Sequence, residues 1–421
     1  MYLIKRHLET VIERRFRNNK AILLSGPRQT GKSTMCRYLF HDLRQVNLDS
    51  AVLRSLAMED PGLFLKSNEP PLLIDEVQKC PPIFETIKEY MEDHPDERSR
   101  FVLTGSQKLK LMEGVSESLT GRVSVNELQG LSLREIHDVP FYRHFIPTEE
   151  YFDARGRQLK EYSRLWETIH RGSYPELHAN PDLEWEDFYH SYVSTYLERD
   201  VNELIRVGNS LTFTRFMTSV AARTAQKLNY SNIASEVGVD VKTIQEWIAI
   251  LERSGLVYIL KPYCPSVLNR AVRTPKIYFR DTGLCCYLTR WLTPDSLKNG
   301  AMAGEIFETF VVNEILKSYS NEGAEYDFSV YYYNGRDRKK IKKNGEEVPV
   351  DGEIDLILEE NGILYPIEIK MSAAPKADMA SEFDVLDGVP DKKRGMGCII
   401  CLYDRKLYLR DNLIAIPLEF I

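Results

Sequence analysis

The chain has 421 residues, 43% of them hydrophobic and 28% charged, with a formal net charge of -7. At about 100–200 residues per domain, that length predicts two to four globular domains, and the apolar content excludes global disorder because enough surface can be buried to offset ordering entropy. The acidic balance argues against a protein that coats nucleic acid by overall charge and leaves room for a local basic patch. No apolar run approaches the ~18 residues of a membrane span. Met1–Arg6 turns charged too early for a signal peptide, so a cytoplasmic protein is expected. Seven cysteines, odd in number and sparse, read as reduced thiols. Cys398 and Cys401 alone have CxxC spacing, but they lie in an apolar run without a second pair, which predicts a buried strand rather than a zinc site. All eight histidines lie between His7 and His190, so chemistry in the C-terminal half must work without histidine.

In chain order, residues 3–17 carry Leu3, Ile4, Leu8, Val11, Ile12 and Phe16 at helical spacing, which predicts an amphipathic helix. A strand over 20–25, a glycine-containing loop and a helix from about Lys32 follow. Further strands are predicted at 45–49, 71–75 and 101–105, with a helix over 83–93 between the last two. Strands alternating with helices indicate a parallel α/β sheet. Residues 140–200 look helical. Over 213–260, the order helix, glycine turn at Gly238, helix and strand makes a winged helix-turn-helix pattern. Residues 261–300 are mixed. A helix is predicted from Gly304 to about Tyr319, and a lysine-rich insertion, Arg336–Lys343, interrupts the strands after it. The last strands fall at 353–358, 364–369 and 397–402. The expected domains are 1–205, an α/β domain with a helical extension; 206–265, the winged helix; 266–300, a connector; and 301–421.

Gly26, Pro27, Arg28, Gln29, Thr30, Gly31, Lys32 and Ser33 fit G-x-x-x-x-G-K-[ST], between an apolar strand and a helix. Gly26 and Gly31 let backbone N–H groups wrap phosphates, with Thr34 next along the helix start. Lys32 would neutralise the β- and γ-phosphates and Ser33 would ligate Mg²⁺ beside ATP. Leu72–Glu76, an apolar strand ending in two carboxylates, matches a Walker B segment. Asp75 would hold Mg²⁺ through water, and Glu76 would polarise the attacking water. A polar residue within Thr104–Gln107 would orient that water, which one being open. Arg122 and Arg28 are candidates to contact the γ-phosphate, in cis or from a neighbouring subunit; a surface arginine is the alternative for each.

Here the sequence resembles the bacterial and archaeal AAA-type ATPases that carry a C-terminal domain of unknown function. The matching segments are 21–33, 72–78, 103–107, 119–123, Arg171–Glu176, Tyr192–Val201 and Lys276–Gly283, spread over nearly the whole chain. The resemblance implies a P-loop NTPase core, a winged-helix module and a C-terminal restriction-endonuclease-like fold, with ATP rather than GTP as nucleotide.

In the C-terminal region, Asp355 precedes Glu368 and Lys370 across an Asn361-Gly362 turn, which places the two carboxylates on adjacent strands of a hairpin. Residues two apart on a strand share a face, so Glu368 and Lys370 point the same way. Asp355 and Glu368 could bind Mg²⁺ while Lys370 orients a water or stabilises charge on a phosphate. This resembles the PD-(D/E)XK nuclease motif, in which an upstream helical glutamate completes the site; Glu308 is preferred here over Glu305. The alternative is a degenerate nuclease fold. Lys242, Thr243 and Gln245 open the recognition helix, where Gln245 could read a base edge and Lys242 a phosphate, while Ile244, Trp247, Ile248 and Leu251 form its core face.

These features predict a cytosolic ATPase that couples nucleotide state to a DNA-directed C-terminal domain with metal-dependent nuclease chemistry. The rival is a nucleotide-dependent switch that binds a protein or DNA partner and has a silent nuclease fold. A third reading is an assembly ATPase working as a homo-oligomeric ring.

Overall fold

The computed structural model describes residues 4–106, 111, 112, 114–195, 210–264, 274–343 and 346–421. The first unit begins with α1 (Glu9–Asn18) and β1 (Ala21–Ser25), then α2 (Lys32–Leu39), β2 (Arg44–Asn47), α3 (Ala51–Glu59), α4 (Pro61–Ser67), β3 (Leu72–Asp75), α5 (Pro82–Asp93), β4 (Phe101–Thr104) and β5 (Val123–Glu127). Its five strands are parallel in the order β2-β3-β4-β1-β5. β1, β3 and β4 are buried throughout, as their unbroken apolar runs require. β4 therefore stands between the strand that enters the P-loop and the strand that ends in Asp75.

The predicted helix over 3–17 begins only at Glu9. The residues before it are held out of the helix by side-chain capture of their amides: Arg6 N donates to Glu9 Oε1 and His7 N to Glu135 Oε1, each at 2.8 Å. β5 was not expected from the sequence, because its alternation is short and its face half-buried.

Short helices occupy much of 133–192. Then come α6 (Ser210–Ala221), β6 (Gln226–Lys227), α7 (Tyr230–Val237), α8 (Val241–Arg253), β7 (Val257–Leu260) and β8 (Lys276–Phe279). The three strands form an antiparallel sheet in the order β6-β8-β7. Gly238 ends α7 at φ 82, a left-handed conformation that favours glycine. Asp240 caps α8 by accepting from Thr243 N at 2.9 Å. Ile244, Trp247, Ile248 and Leu251 are buried as expected. β8 lies inside the stretch that the sequence left as mixed.

After α9 (Thr282–Leu288) and a short helix over Pro294–Lys298, α10 (Ala303–Glu322) runs for 20 residues, nearly all of them buried beyond its first turn. The C-terminal sheet holds β9 (Val330–Lys343), β10 (Glu346–Glu360), β11 (Ile363–Lys370), β12 (Lys393–Arg394), β13 (Gly397–Cys401), β14 (Leu407–Arg410) and β15 (Leu413–Ile416), in the order β14-β15-β13-β11-β10-β9, with β12 beside β11. Cys398 and Cys401 lie in the fully buried β13 and are free thiols. The lysine-rich run does not interrupt the strands. It prolongs β9, whose Lys343 pairs with Glu346 of β10, so the two strands make one long antiparallel ribbon. Backbone hydrogen bonding in a ribbon does not depend on apolar side chains, which is why composition misread it. The Asn361-Gly362 turn closes β10 on β11 with φ 50 and 78, the paired positive values of a tight hairpin.

Candidate functional site

The loop after β1 is shaped by one close backbone approach and one left-handed turn. A Cβ on Gly26 would lie 2.2 Å from Leu128 O, and Gly31 opens α2 at φ 92. Lys32 turns back into the loop and donates to Gly26 O at 2.8 Å and Pro27 O at 2.6 Å. Burial lowers its pKa to about 8, against the pull of Glu76 and Asp75. A phosphate replacing those neutral carbonyls would raise it again, so the loop is built to gain from an anion. Ser33 Oγ donates to Asp75 Oδ1 at 2.9 Å. Thr104 Oγ1, at the end of β4, donates to the same oxygen, and Asn47 Nδ2 lies 3.4 Å from Asp75 Oδ2. A hydroxyl at hydrogen-bond distance from a carboxylate, next to a phosphate loop, fits a nucleotide-bound Mg²⁺.

Glu76 adopts φ 57, a left-handed conformation unusual for a residue with a Cβ and frequent at working sites. Its carboxylate accepts from Gln78 Nε2 and, at 3.0 Å, from Ser106 Oγ. The polar segment 104–107 therefore divides: Thr104 serves Asp75 and Ser106 serves Glu76, while Gln107 lies outside the described residues. Arg28 is half-buried in the loop; Gln29 and Thr34 are exposed and Thr30 is buried, its hydroxyl donating to Pro27 O. A cavity of about 530 Å³ opens beside Gln29, Thr30 and Thr34, walled by Ile4, Arg6 and Pro175.

Arg122 is not brought to this site within the chain. Its neighbour Val123 pairs with Ala21, whereas the P-loop leaves β1 from the end where Ser25 pairs with Glu127. Four residues of strand separate the two ends by about 13 Å. Arg122 instead pairs with Glu92 at 2.7 Å on the surface.

Arg6, which the sequence did not single out, is the residue that ties the loop to its surroundings. It donates to Thr30 O at 2.8 Å, to Gln129 O at 2.8 Å and to Glu135 Oε1 at 3.0 Å, all buried. Burial pushes the Glu135 carboxyl up, but Arg6, His7 and the amides of Ser132 and His7 outweigh it and hold it at about 2. No spacing rule could have found Arg6, since its partners lie 24, 123 and 129 residues away.

The segment after β5 also receives α10. Glu314 Oε2 accepts from Leu133 N at 2.7 Å, Lys317 Nζ donates to Leu131 O at 2.8 Å, and Ser320 Oγ donates to Glu127 O at 3.0 Å. Arg15 reaches Gly323 O at 2.6 Å. The P-loop meets the middle unit too: a Cβ on Gly255 would stand 3.0 Å from Pro27 Cγ.

At the other end of α10, the structure brings Glu308, Asp355, Glu368 and Lys370 together. Lys370 Nζ lies 2.7 Å from Glu368 Oε1 and 3.3 Å from Asp355 Oδ2, and Asp355 Oδ2 accepts from Ile369 N at 2.8 Å. Three residues join them that the sequence reading missed. Lys276 of β8 lies 3.1 Å from Glu308 Oε1, 2.6 Å from Glu353 Oε1 and 3.9 Å from Asp355 Oδ1. Tyr278 OH donates to Glu308 Oε1 at 2.7 Å. Burial, then the charge of Asp355, raises Glu308 to about 7 and Glu368 to about 8. Among the described residues no group of three or more His, Cys, Asp or Glu is arranged to hold a metal ion. The acids are matched to ammonium groups, and the metal implied by the nuclease resemblance does not fit the site in this form.

Residues 18–137 match the family described as AAA domain. Residues 162–295 and 303–421 match two domains of unknown function, DUF8612 and DUF4143. The first match and the loop geometry together define residues 18–137 as a P-loop ATPase domain of AAA type, a class that binds ATP. Uncharacterized proteins of Mycobacterium tuberculosis (strain H37Rv) and Mycobacterium bovis (strain AF2122/97) are each 26% identical over 424 residues, covering 100% of this chain and 85% of theirs. Among solved structures, a Walker-type ATPase of Pyrococcus abyssi is 13% identical with a TM-score of 0.41, over 68% of this chain and 96% of that one. The Holliday junction branch migration motor RuvB of Thermotoga maritima is 15% identical with a TM-score of 0.29, over 60% and 88%. AMPPCP-bound DnaA of Aquifex aeolicus is 13% identical with a TM-score of 0.29, over 60% and 89%. Among the described residues no helix is long and apolar enough to cross a membrane.

Proposed function

We propose that this chain hydrolyses ATP and couples its nucleotide state to a DNA-directed C-terminal half, with α10 as the connecting rod. The observation that carries the coupling is the double engagement of α10. Its Glu314, Lys317 and Ser320 hold the segment that leaves β5, and its Glu308 enters the acid cluster. Ser320 and Glu308 lie twelve residues apart, about 18 Å along a helix. A buried helix transmits such a displacement as a rigid body because its interior is close-packed.

In the nucleotide site, loop amides and Lys32 would bind the phosphates. Ser33 and Asp75 would hold Mg²⁺, which supplies charge neutralisation at the β- and γ-oxygens. Glu76, steadied by Ser106 and Gln78, would take the proton of the attacking water. Thr104 would keep Asp75 oriented. The DNA direction is supported by α7, α8 and the sheet β6-β8-β7, which have the order of a winged helix-turn-helix, and by Lys242 and Gln245, exposed at the start of α8.

The test is ATP turnover by the full chain with and without duplex and single-stranded DNA, beside Lys32→Ala and Glu314→Ala. DNA should raise turnover by the wild type several-fold, and Glu314→Ala should retain basal turnover while losing that response. Turnover indifferent to DNA, with no DNA binding in any nucleotide state, would sink the DNA part and leave the switch reading.

A second reading, phosphodiester cleavage by the C-terminal site, is favoured by Lys370 beside Glu368 and Asp355, where a lysine can steady a water. Labelled DNA incubated with Mg²⁺ or Mn²⁺ and ATP, with Lys370→Ala alongside, decides it: cleavage absent from the wild type ends that reading.

A further inference from the structure

Beside its own Lys370, the acid cluster draws cations from a different unit of the chain. Glu308 lies on α10 and Glu353 and Asp355 on β10, within the segment 303–421, whereas Lys276 lies on β8, within 162–295. Three carboxylate oxygens converge on the Lys276 ammonium, at 2.6, 3.1 and 3.9 Å, and the side chain is 3% exposed. The same small sheet supplies Lys227, 3.2 Å from Glu353 Oε2, and Tyr278, on Glu308. Mg²⁺ needs oxygens at about 2.0–2.1 Å in a near-octahedral shell. Set among the same three oxygens it would overlap the position the ammonium now holds, and displacing that ammonium would strand a buried charge without its partners.

We propose that the Lys276 ammonium is the resident cation among Glu308, Glu353 and Asp355 in the C-terminal carboxylate cluster, and that by filling that position it excludes a divalent metal there. The middle unit thus closes the acid site. Metal-dependent chemistry there requires β8 to withdraw Lys276. The proposal goes beyond the ATPase reading and holds whichever partner the C-terminal half meets.

The probe is Mn²⁺ followed by electron paramagnetic resonance, on nucleotide-free full chain in an Asp75→Asn background so that the nucleotide site does not contribute. With Lys276 present, no stoichiometric Mn²⁺ should be held. Lys276→Met should gain one Mn²⁺ per chain, at least tenfold tighter, and adding Asp355→Asn should remove it. One Mn²⁺ bound with Lys276 present and lost in Asp355→Asn would overturn the proposal, and so would a folded Lys276→Met chain that binds no tighter. Should Lys276→Met not fold alone, Mn²⁺ should restore its cooperative thermal transition; a chain that Mn²⁺ does not rescue also overturns it.

Discussion

Replacing Arg6 by methionine tests how the nucleotide loop is held. The arginine stem is kept in volume, but three buried hydrogen bonds disappear, to Thr30 O, Gln129 O and Glu135. Glu135, whose side chain is 0% exposed, then keeps its charge with His7 and amide and hydroxyl donors beside it. Breaking a buried pair by removing one partner costs roughly 3–5 kcal/mol. The depression of Glu135 to about 2, against its burial, has the same sign, with Arg6 the largest of the groups that hold it down. The assay is urea unfolding of the wild type, Arg6→Met, Glu135→Gln and the double variant as one cycle. Each single change should cost about 3 kcal/mol, and the double variant should cost less than their sum by about 1–3 kcal/mol. The pH dependence follows with a definite sign. Because the folded carboxyl titrates below its ordinary value, its contribution is fully present above pH 4.5 and is lost as pH falls toward 2. In Arg6→Met the folded value moves back up toward 4.5, so that loss on acidification should shrink. The KM for ATP should also rise, since the Thr30 carbonyl is no longer clamped. A cost below about 1 kcal/mol with additive changes would refute the account of a pair whose partners depend on each other.

Glu76→Gln should bind ATP as the wild type does and lower turnover by roughly 10²–10⁴-fold, the range for loss of a general base, measured by phosphate release beside a binding titration. Gly26→Ala should abolish nucleotide binding, because its methyl would meet Leu128 O at 2.2 Å; calorimetric titration of a nucleotide analogue checks it, and near-normal affinity would contradict the loop geometry. His144 bridges Glu322 and, at 3.4 Å, Glu360; burial lowers its pKa, but the two carboxylates outweigh it and leave it raised above 6.5. That clasp of His144 on the ends of α10 and β10 is therefore complete below pH 6.5 and is lost as pH rises through the folded value. Thermal unfolding across pH 6 to 9 should show this slope in the wild type and its absence in His144→Gln.

The contiguous motifs were legible without the fold. Gly26–Ser33 and Leu72–Glu76 announce their chemistry because a strand, a glycine turn and a helix are set by neighbouring residues, and the Asn361-Gly362 turn fixes how Asp355 meets Glu368 and Lys370. Burial of Ile244, Trp247, Ile248 and Leu251 followed from helical periodicity alone. Other features depended on packing between segments far apart in the chain. Arg122 precedes β5 at the end away from its own P-loop because parallel register with β1 puts it there. Arg6 leaves the predicted helix because its partners at Thr30, Gln129 and Glu135 are assembled only once the sheet forms. Lys276, in a stretch without a readable pattern, meets Glu308, Glu353 and Asp355 because β8 is laid across the end of α10. Spacing along the chain determines backbone conformation and which side chains share a face. Which charges neutralise one another in the interior is decided by tertiary contact, since Coulomb energy depends on distance in space and on the burial that only the folded chain provides.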